Sequence, residues 1–304
     1  MSLRLRLLRL LLRRVEKPRL AQARDPRAVR RAFEAAARLF QDPPGAAYAA
    51  DPLDGLAATR ATAGPAAEGR AILYLHGGAY MMGSARTHRH LAAALAGAAG
   101  ATAWVPDYRL APEHPFPAAV EDARRAYAAL LARGADPARI ALAGDSAGGG
   151  LVFGLLVALR AAGLPDPAAL LAFSPWCDMT GTADALARNA ETDPLLPAAR
   201  LAEVVGWTLA GADPRDPRAS PVFARFAPAP PPALILASRD EILADDAAAM
   251  AQTLRRDGGA VALEWSARAP HAWPLFRGWI PEADAAIARA GAFMGAALTP
   301  SGAR

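Results

Sequence analysis

The 304-residue chain has one cysteine, Cys177, which excludes an intrachain disulfide and a cysteine-built metal site. It has one lysine, Lys17, so its positive charge is almost entirely arginine. No apolar run reaches the length of a membrane span. The longest uncharged stretch near the middle, Leu91 to Pro106, falls short and is interrupted by Gly97, Gly100 and Thr102. Proline and glycine, at 27 and 25 residues, stay below the level of low-complexity chains. With 53% hydrophobic and 21% charged residues, the composition is that of a globular protein with a substantial core.

The net charge of +5 is unevenly spread. Between Met1 and Arg31, eleven basic residues face only Glu16 and Asp25, so the remainder is mildly acidic. No aromatic–basic interleaving and no recognition motif accompanies the basic segment, which argues against nucleic-acid binding. The same segment carries Leu3, Leu7, Leu8, Leu10, Leu11, Leu12 and Val15. A secretory signal needs an unbroken apolar core of about 7–15 residues, and Arg4, Arg6, Arg9, Arg13 and Arg14 break this one. The expectation is an amphipathic helix whose stripe Leu3, Leu7, Leu10, Leu11 packs on the body. A membrane-surface anchor is the alternative. Stable membrane association is not expected, and a cytoplasmic location is.

Further along, short apolar runs alternate with helical stretches. Residues Ala71–Leu75, Thr102–Val105, Ile140–Ala143, Leu170–Phe173, Ala233–Ala237 and Val261–Trp265 read as strands. His88–Ala99, Ala118–Arg133, Ala147–Ala162, Asp245–Arg256 and Glu282–Ala297 read as helices. That alternation predicts an α/β fold with a mostly parallel central sheet covered by helices on both faces. The stretch from Asp178 to Pro221 is polar and turn-rich, with one helix near Ala198–Leu209. It reads as an insertion over the C-terminal edge of the sheet that joins the N-terminal helices in a cap. The expected division is residues 1–45 for cap helices and 46–304 for a catalytic domain with the insertion at about 178–221.

The segment Gly144-Asp145-Ser146-Ala147-Gly148 lies directly between a strand and a helix. A sharp strand-to-helix turn needs small neighbours, and it aims the Ser146 hydroxyl out of the fold. A serine needs a base held by an acid, and the chain order for such a turn is serine, acid, histidine. Of His76, His88, His90, His114 and His271, only His271 follows the acid region. Asp240 is the first carboxylate after the strand Ala233–Ala237, with Glu241, Asp245 and Asp246 behind it, and is taken as the acid. Asp245 and Asp246 read as helix-start acids, and His88 and His90 as helix-surface residues. His76-Gly77-Gly78-Ala79-Tyr80 follows another strand. The amides of Gly77, Gly78 and Ala147 are the candidate donors for a developing oxyanion.

These motifs resemble those of the bacterial hormone-sensitive lipase family of α/β-hydrolases. His76–Ala79 is similar to its oxyanion motif and Gly144–Gly148 to its nucleophile motif. The run Asp107-Tyr108-Arg109-Leu110-Ala111-Pro112-Glu113-His114-Pro115-Phe116-Pro117, Ser174-Pro175-Trp176 and the loop Asp240…Leu243…Asp245 are also typical. The resemblance runs from about Ile72 to Phe276. It implies an α/β-hydrolase fold with a helical cap, hydrolysis of small acyl esters and no cofactor or metal. The Leu/Arg-rich N-terminus also resembles members that open ε-lactones. Departures are Glu241 where proline often follows the acid, Gly150 in place of asparagine, and Ala272-Trp273 after the histidine.

Tyr80, Met81, Met82, Trp207 and Trp273 are candidates to line a substrate pocket. Arg109 and Glu113 are expected to brace the loop behind the oxyanion turn, and Cys177 to be buried and inert. The reading is a serine carboxylic-ester hydrolase for short-to-medium acyl esters or lactones, acting through an acyl-enzyme. An amidase or deacetylase on the same residues and a non-catalytic small-molecule receptor are the alternatives, and a homodimer is left open.

Overall fold

The computed structural model describes residues 1–299. Residues 300–304, the end of the expected catalytic domain, lie outside the described residues. The chain opens with helix α1 (Leu3–Leu11), which runs through a π turn at Leu12–Glu16 into α2 (Lys17–Gln22), and then α3 (Pro26–Ala36). Strands β1 (Ala46–Ala50) and β2 (Ala58–Ala63) precede β3 (Ala71–Leu75), α4 (Ala85–Ala99), β4 (Thr102–Pro106) and α5 (Ala118–Ala132). Then come β5 (Ile140–Asp145), α6 (Ala147–Ala161), β6 (Ala169–Phe173), α7 (Ala185–Arg188) and α8 (Leu201–Leu209). The chain continues through β7 (Ala233–Ser238), α9 (Ala244–Arg256), β8 (Val261–Ser266) and α10 (Pro281–Ala297).

The sheet order is β1-β2-β4-β3-β5-β6-β7-β8. Strands β3 to β8 pair in parallel, while β2 pairs antiparallel to both β1 and β4. Alternate residues of β3 face opposite layers: Leu73 and Leu75 belong to the core shared with α5, α6 and α9, whereas Ile72 and Tyr74 belong to the core shared with α4 and α10. This is the α/β-hydrolase architecture, with the motif-bearing loops leaving the C-terminal ends of the strands.

Two elements differ from the sequence reading. The edge pair β1–β2 was not expected, because Ala-Ala-Tyr-Ala-Ala and Ala-Thr-Arg-Ala-Thr-Ala carry no strong strand signal; the pairing of β2 with β4, and of β1 with β2, supplies it. In α1 the buried face is Leu5, Leu8 and Leu12, not the stripe expected to pack. Leu3, Leu7, Leu10 and Leu11 are instead 51–71% exposed. The helix is rotated so that its other leucines meet the core, each worth about 1.5–3 kcal/mol when fully buried. Ser2 caps α1 through Leu5 N (3.1 Å) and also bonds Glu282 on α10, which fixes that rotation.

Candidate active site

Ser146 sits between β5 and α6 with φ 54° and ψ −123°, a conformation a non-glycine residue holds only where its surroundings enforce it. Its N–H donates to Phe173 O (2.8 Å), and its carbonyl accepts from Trp176 N (2.9 Å) and Gly150 N (3.0 Å). A Cβ on Gly148 would lie 2.0 Å from Leu75 O, so β3 and α6 approach this closely only because that position is glycine. The turn therefore aims Ser146 Oγ at the end of the sheet.

His271, on the loop after β8, places Nε2 2.8 Å from Ser146 Oγ. Its Nδ1 lies 2.6 Å from Glu241 Oε2. A carboxylate only accepts, so Nδ1 carries the proton and Nε2 is left to accept from the serine hydroxyl. Burial alone would lower the His271 pKa, but the hydrogen bond to Glu241 and its charge, with Asp193 and Asp145 beyond, hold it above the ordinary value.

The acid against His271 is thus Glu241, and the expectation of Asp240 is corrected. Asp240 Oδ2 accepts from Arg9 Nη2 at 2.8 Å and faces the N-terminal helix. One residue on, the tight turn after β7 points the Glu241 side chain inward, where it is fully buried. Glu241 Oε1 accepts from Ser238 N (2.7 Å), and Asn189 Nδ2 holds both Arg239 O (2.9 Å) and Glu241 O (2.8 Å). The available signal was the absent proline after Asp240, with a longer carboxylate standing in its place.

The oxyanion expectation also needs one change. Gly77 N–H donates to Asp145 Oδ1 at 3.1 Å, so this amide is directed at a buried carboxylate. Gly78 N and Ala147 N have no acceptor among the described residues and remain available beside Ser146. Gly78 has φ +123°, and a Cβ there would lie 2.1 Å from Met82 O. Asp145 also accepts from the Tyr74 hydroxyl (2.8 Å) and lies 3.5 Å from His88 Nε2. Against the opposing effect of burial, His88 and Tyr74 keep its carboxyl below the ordinary range.

His88 and His90 are buried rather than on the helix surface, because α3 and Phe40 cover that side of α4. His76 stacks on Tyr108 at 4.1 Å and bonds Gly77 O through Nδ1 (2.9 Å). Burial and the neighbouring His88 push its pKa down to about 3, which keeps it neutral. Asp245 bonds Ala185 N and Arg188 at the start of α9, and Asp246 accepts from Cys177 N and Asp178 N (both 2.8 Å). Cys177 is buried, and burial pushes its thiol pKa up.

A family model for the alpha/beta hydrolase fold matches residues 72–275. An acetyl-hydrolase of Streptomyces hygroscopicus is 45% identical over 75% of this chain and 76% of its own length. A crystal structure of EstE5, soaked with p-nitrophenyl butyrate, superposes with TM-score 0.93 at 39% identity. It covers 98% of this chain and 99% of that one. An esterase described as of the bacterial hormone-sensitive lipase family gives the same TM-score, identity and coverage. The chain belongs to that family.

In this hormone-sensitive lipase family member, two apolar cavities meet at Ser146. One, of about 120 Å³, is walled by Met81, Met82, Trp176, Leu201, Val204 and Trp207. The other, of about 300 Å³, lies on the His271 side and is walled by Leu12, Phe33, Leu196, Leu275 and Trp279 among others. Of the pocket candidates, Met82 lines both cavities and Trp207 the smaller one. Tyr80 and Trp273 line neither. Tyr80 packs behind the turn against Trp176, and Trp273 is buried with its indole N–H on Glu282 O (3.2 Å), because the loop turns that ring into the core.

The bracing residues are placed much as expected. Arg109 is bound to Asp122 by a fork of two 2.8 Å bonds, and Glu113 is held by Arg30 and Arg27 of α3. Arg30 went unnoticed in the sequence. Its Nε donates to Met81 O (2.9 Å) and its Nη2 to Ala111 O (3.1 Å), so it reaches the oxyanion turn itself.

Proposed function

We propose that this carboxylesterase works through Ser146 as nucleophile, His271 as general base and acid, and Glu241 as the residue that orients His271. The observation that carries the proposal is the continuous relay Ser146 Oγ–His271 Nε2–His271 Nδ1–Glu241 Oε2, with spacings of 2.8 and 2.6 Å. Ser146 Oγ attacks the ester carbonyl as His271 takes its proton. The tetrahedral oxyanion is received by Gly78 N and Ala147 N, a type of stabilisation worth a few kcal/mol. His271 returns the proton to the leaving alkoxide, and the alcohol departs. Water, deprotonated by His271, then attacks the acyl-enzyme and frees Ser146.

The leaving oxygen must reach His271, so the alcohol occupies the 300 Å³ cavity beside that residue. The acyl chain then enters the 120 Å³ cavity that Trp207 helps to line. This supports short acyl esters with larger apolar alcohols, and lactones small enough to span both cavities. The insertion and the N-terminal helices act together as the cap over these cavities. The test compares hydrolysis of a p-nitrophenyl ester, a matched anilide and an ε-lactone by wild type and Ser146→Ala. Ester turnover above anilide turnover, lost by several orders of magnitude in Ser146→Ala, supports the reading. Preferential anilide cleavage would make the enzyme an amidase, and substantial ester turnover by Ser146→Ala would overturn the nucleophile.

A further inference from the structure

The rotation of α1 that buries Leu5, Leu8 and Leu12 turns a second apolar stripe to solvent. Leu3, Leu7, Leu10, Leu11 and, after the π turn, Val15 are each more than half exposed. Their spacing of three and four residues puts them along one side of the helix. Arg4 and Arg6 flank that stripe and Arg14 continues it; all three are exposed and without an ion-pair partner among the described residues. The first 31 residues hold eleven cations and two acids, whereas the rest of the chain is mildly acidic.

The stripe runs up to the mouth of the larger active-site cavity. Leu11, Val15 and Leu39 both line that cavity and are 51–61% exposed, so they form its rim. An apolar rim at an opening to Ser146, continuous with an apolar stripe edged by arginine, is the pattern of an in-plane interfacial helix. Two copies of this face would bring unpaired arginines together, so the charge disfavours a second copy as its cover. An anionic surface satisfies both parts: acyl chains accept the leucines, and phosphates accept the guanidinium groups.

We propose that α1 docks this enzyme on anionic phospholipid surfaces, with the larger cavity opening toward the lipid. The docking does not depend on the ester-hydrolase reading, because the experiment measures binding. The whole 304-residue chain is co-sedimented with vesicles of phosphatidylcholine alone and of phosphatidylcholine with phosphatidylglycerol, over a series of salt concentrations. The expected result is at least about tenfold stronger partition onto the anionic vesicles, weakening as salt rises. The double variants Leu7→Gln/Leu10→Gln and Arg4→Gln/Arg6→Gln should each lose most of that partition. Both should keep the wild-type melting temperature and turnover of water-soluble p-nitrophenyl acetate, since none of the four residues lines a cavity.

Equal partition onto neutral and anionic vesicles, or none onto either, would overturn the proposal. So would binding left intact in the arginine variant, whose folding does not rest on the leucines. A concentration-dependent dimer that Leu7→Gln/Leu10→Gln dissolves, in a protein that ignores vesicles, would assign the stripe to a second copy instead.

Discussion

Arg9 Nη2 lies 2.8 Å from Asp240 Oδ2, and the same guanidinium donates to Arg268 O at 2.6 Å. The N-terminal helix thus grips both the acid loop and the histidine loop from outside, while the next carboxylate, Glu241, works inside. Thr192 Oγ1 bonds Asp240 O, and Asp193 Oδ2 accepts from Ile242 N at 2.9 Å. The loop carrying Asp240 and Glu241 is held on one side by Arg9 of α1 and on the other by Thr192 and Asp193.

Glu241→Gln should therefore lower kcat/KM by on the order of 10³–10⁴-fold, since an amide cannot hold His271 in the same tautomer. Asp240→Asn removes one partly exposed ion pair, worth up to about 1 kcal/mol, and should change rates less than about tenfold. Steady-state kinetics of both variants on one p-nitrophenyl ester decide between them. A crippled Asp240→Asn beside an active Glu241→Gln would reverse the assignment.

The pH profile carries the sign of the same contact. His271 must be neutral to accept the Ser146 proton, so activity is lost as pH falls through its pKa. Burial would lower that pKa and Glu241 outweighs it, so the acid limb of kcat/KM for wild type should lie above the ordinary histidine range. Removing the carboxylate in Glu241→Gln leaves burial dominant, and the acid limb of the residual activity should move to lower pH. A limb that stays in place, measured across the same buffers, would show that Glu241 does not set the His271 charge.

Acyl-chain selectivity should follow the smaller cavity. Rates on p-nitrophenyl esters are expected to peak at short chains and fall steeply beyond about eight carbons. Trp207 lines this cavity, so Trp207→Ala should move the maximum to longer chains, while Trp273→Phe should leave it unchanged because that ring is in the core. A wild-type maximum near sixteen carbons would mean that the acyl chain takes another path.

Strands β3, β5, β6 and β7 were readable because each is a run of buried, mostly apolar residues bounded by turn formers, as strands covered on both faces must be. The elbow at Ser146 and the histidine at 271 were readable from the order of motifs. The acid was not, since Asp240 and Glu241 are neighbours in a turn and their side chains leave in opposite directions. What separates them is tertiary, the Arg9 contact on Asp240 and the His271 contact on Glu241, with the Ser238 amide holding Glu241 inward from within the same turn. The direction of the Gly77 amide was hidden for a similar reason: its acceptor, Asp145, is brought in by a different strand. The two leucine stripes of α1 share one periodicity, so the pattern alone could not say which one faces the core.

Arg30 supplies a last test, of how α3 acts on the chemistry. Its Nε donates to Met81 O (2.9 Å), and Met81 N donates to Gly78 O (3.0 Å), so α3 is tied to the turn that presents Gly78 N. Glu113, whose pKa is lowered to about 2 by Arg30, stays charged and anchors the guanidinium. Arg30→Met should loosen this turn and lower kcat about tenfold while leaving KM nearly unchanged, because the oxyanion forms only in the transition state. Arg30→Lys keeps the charge but not the fork, so it should recover only part of the loss. The decisive measurement is affinity for a trifluoromethyl ketone, whose hemiketal oxygen mimics the oxyanion. If Arg30 positions Gly78, that affinity should fall in parallel with kcat. A loss confined to KM or to melting temperature would leave Arg30 as no more than a fastener of α3.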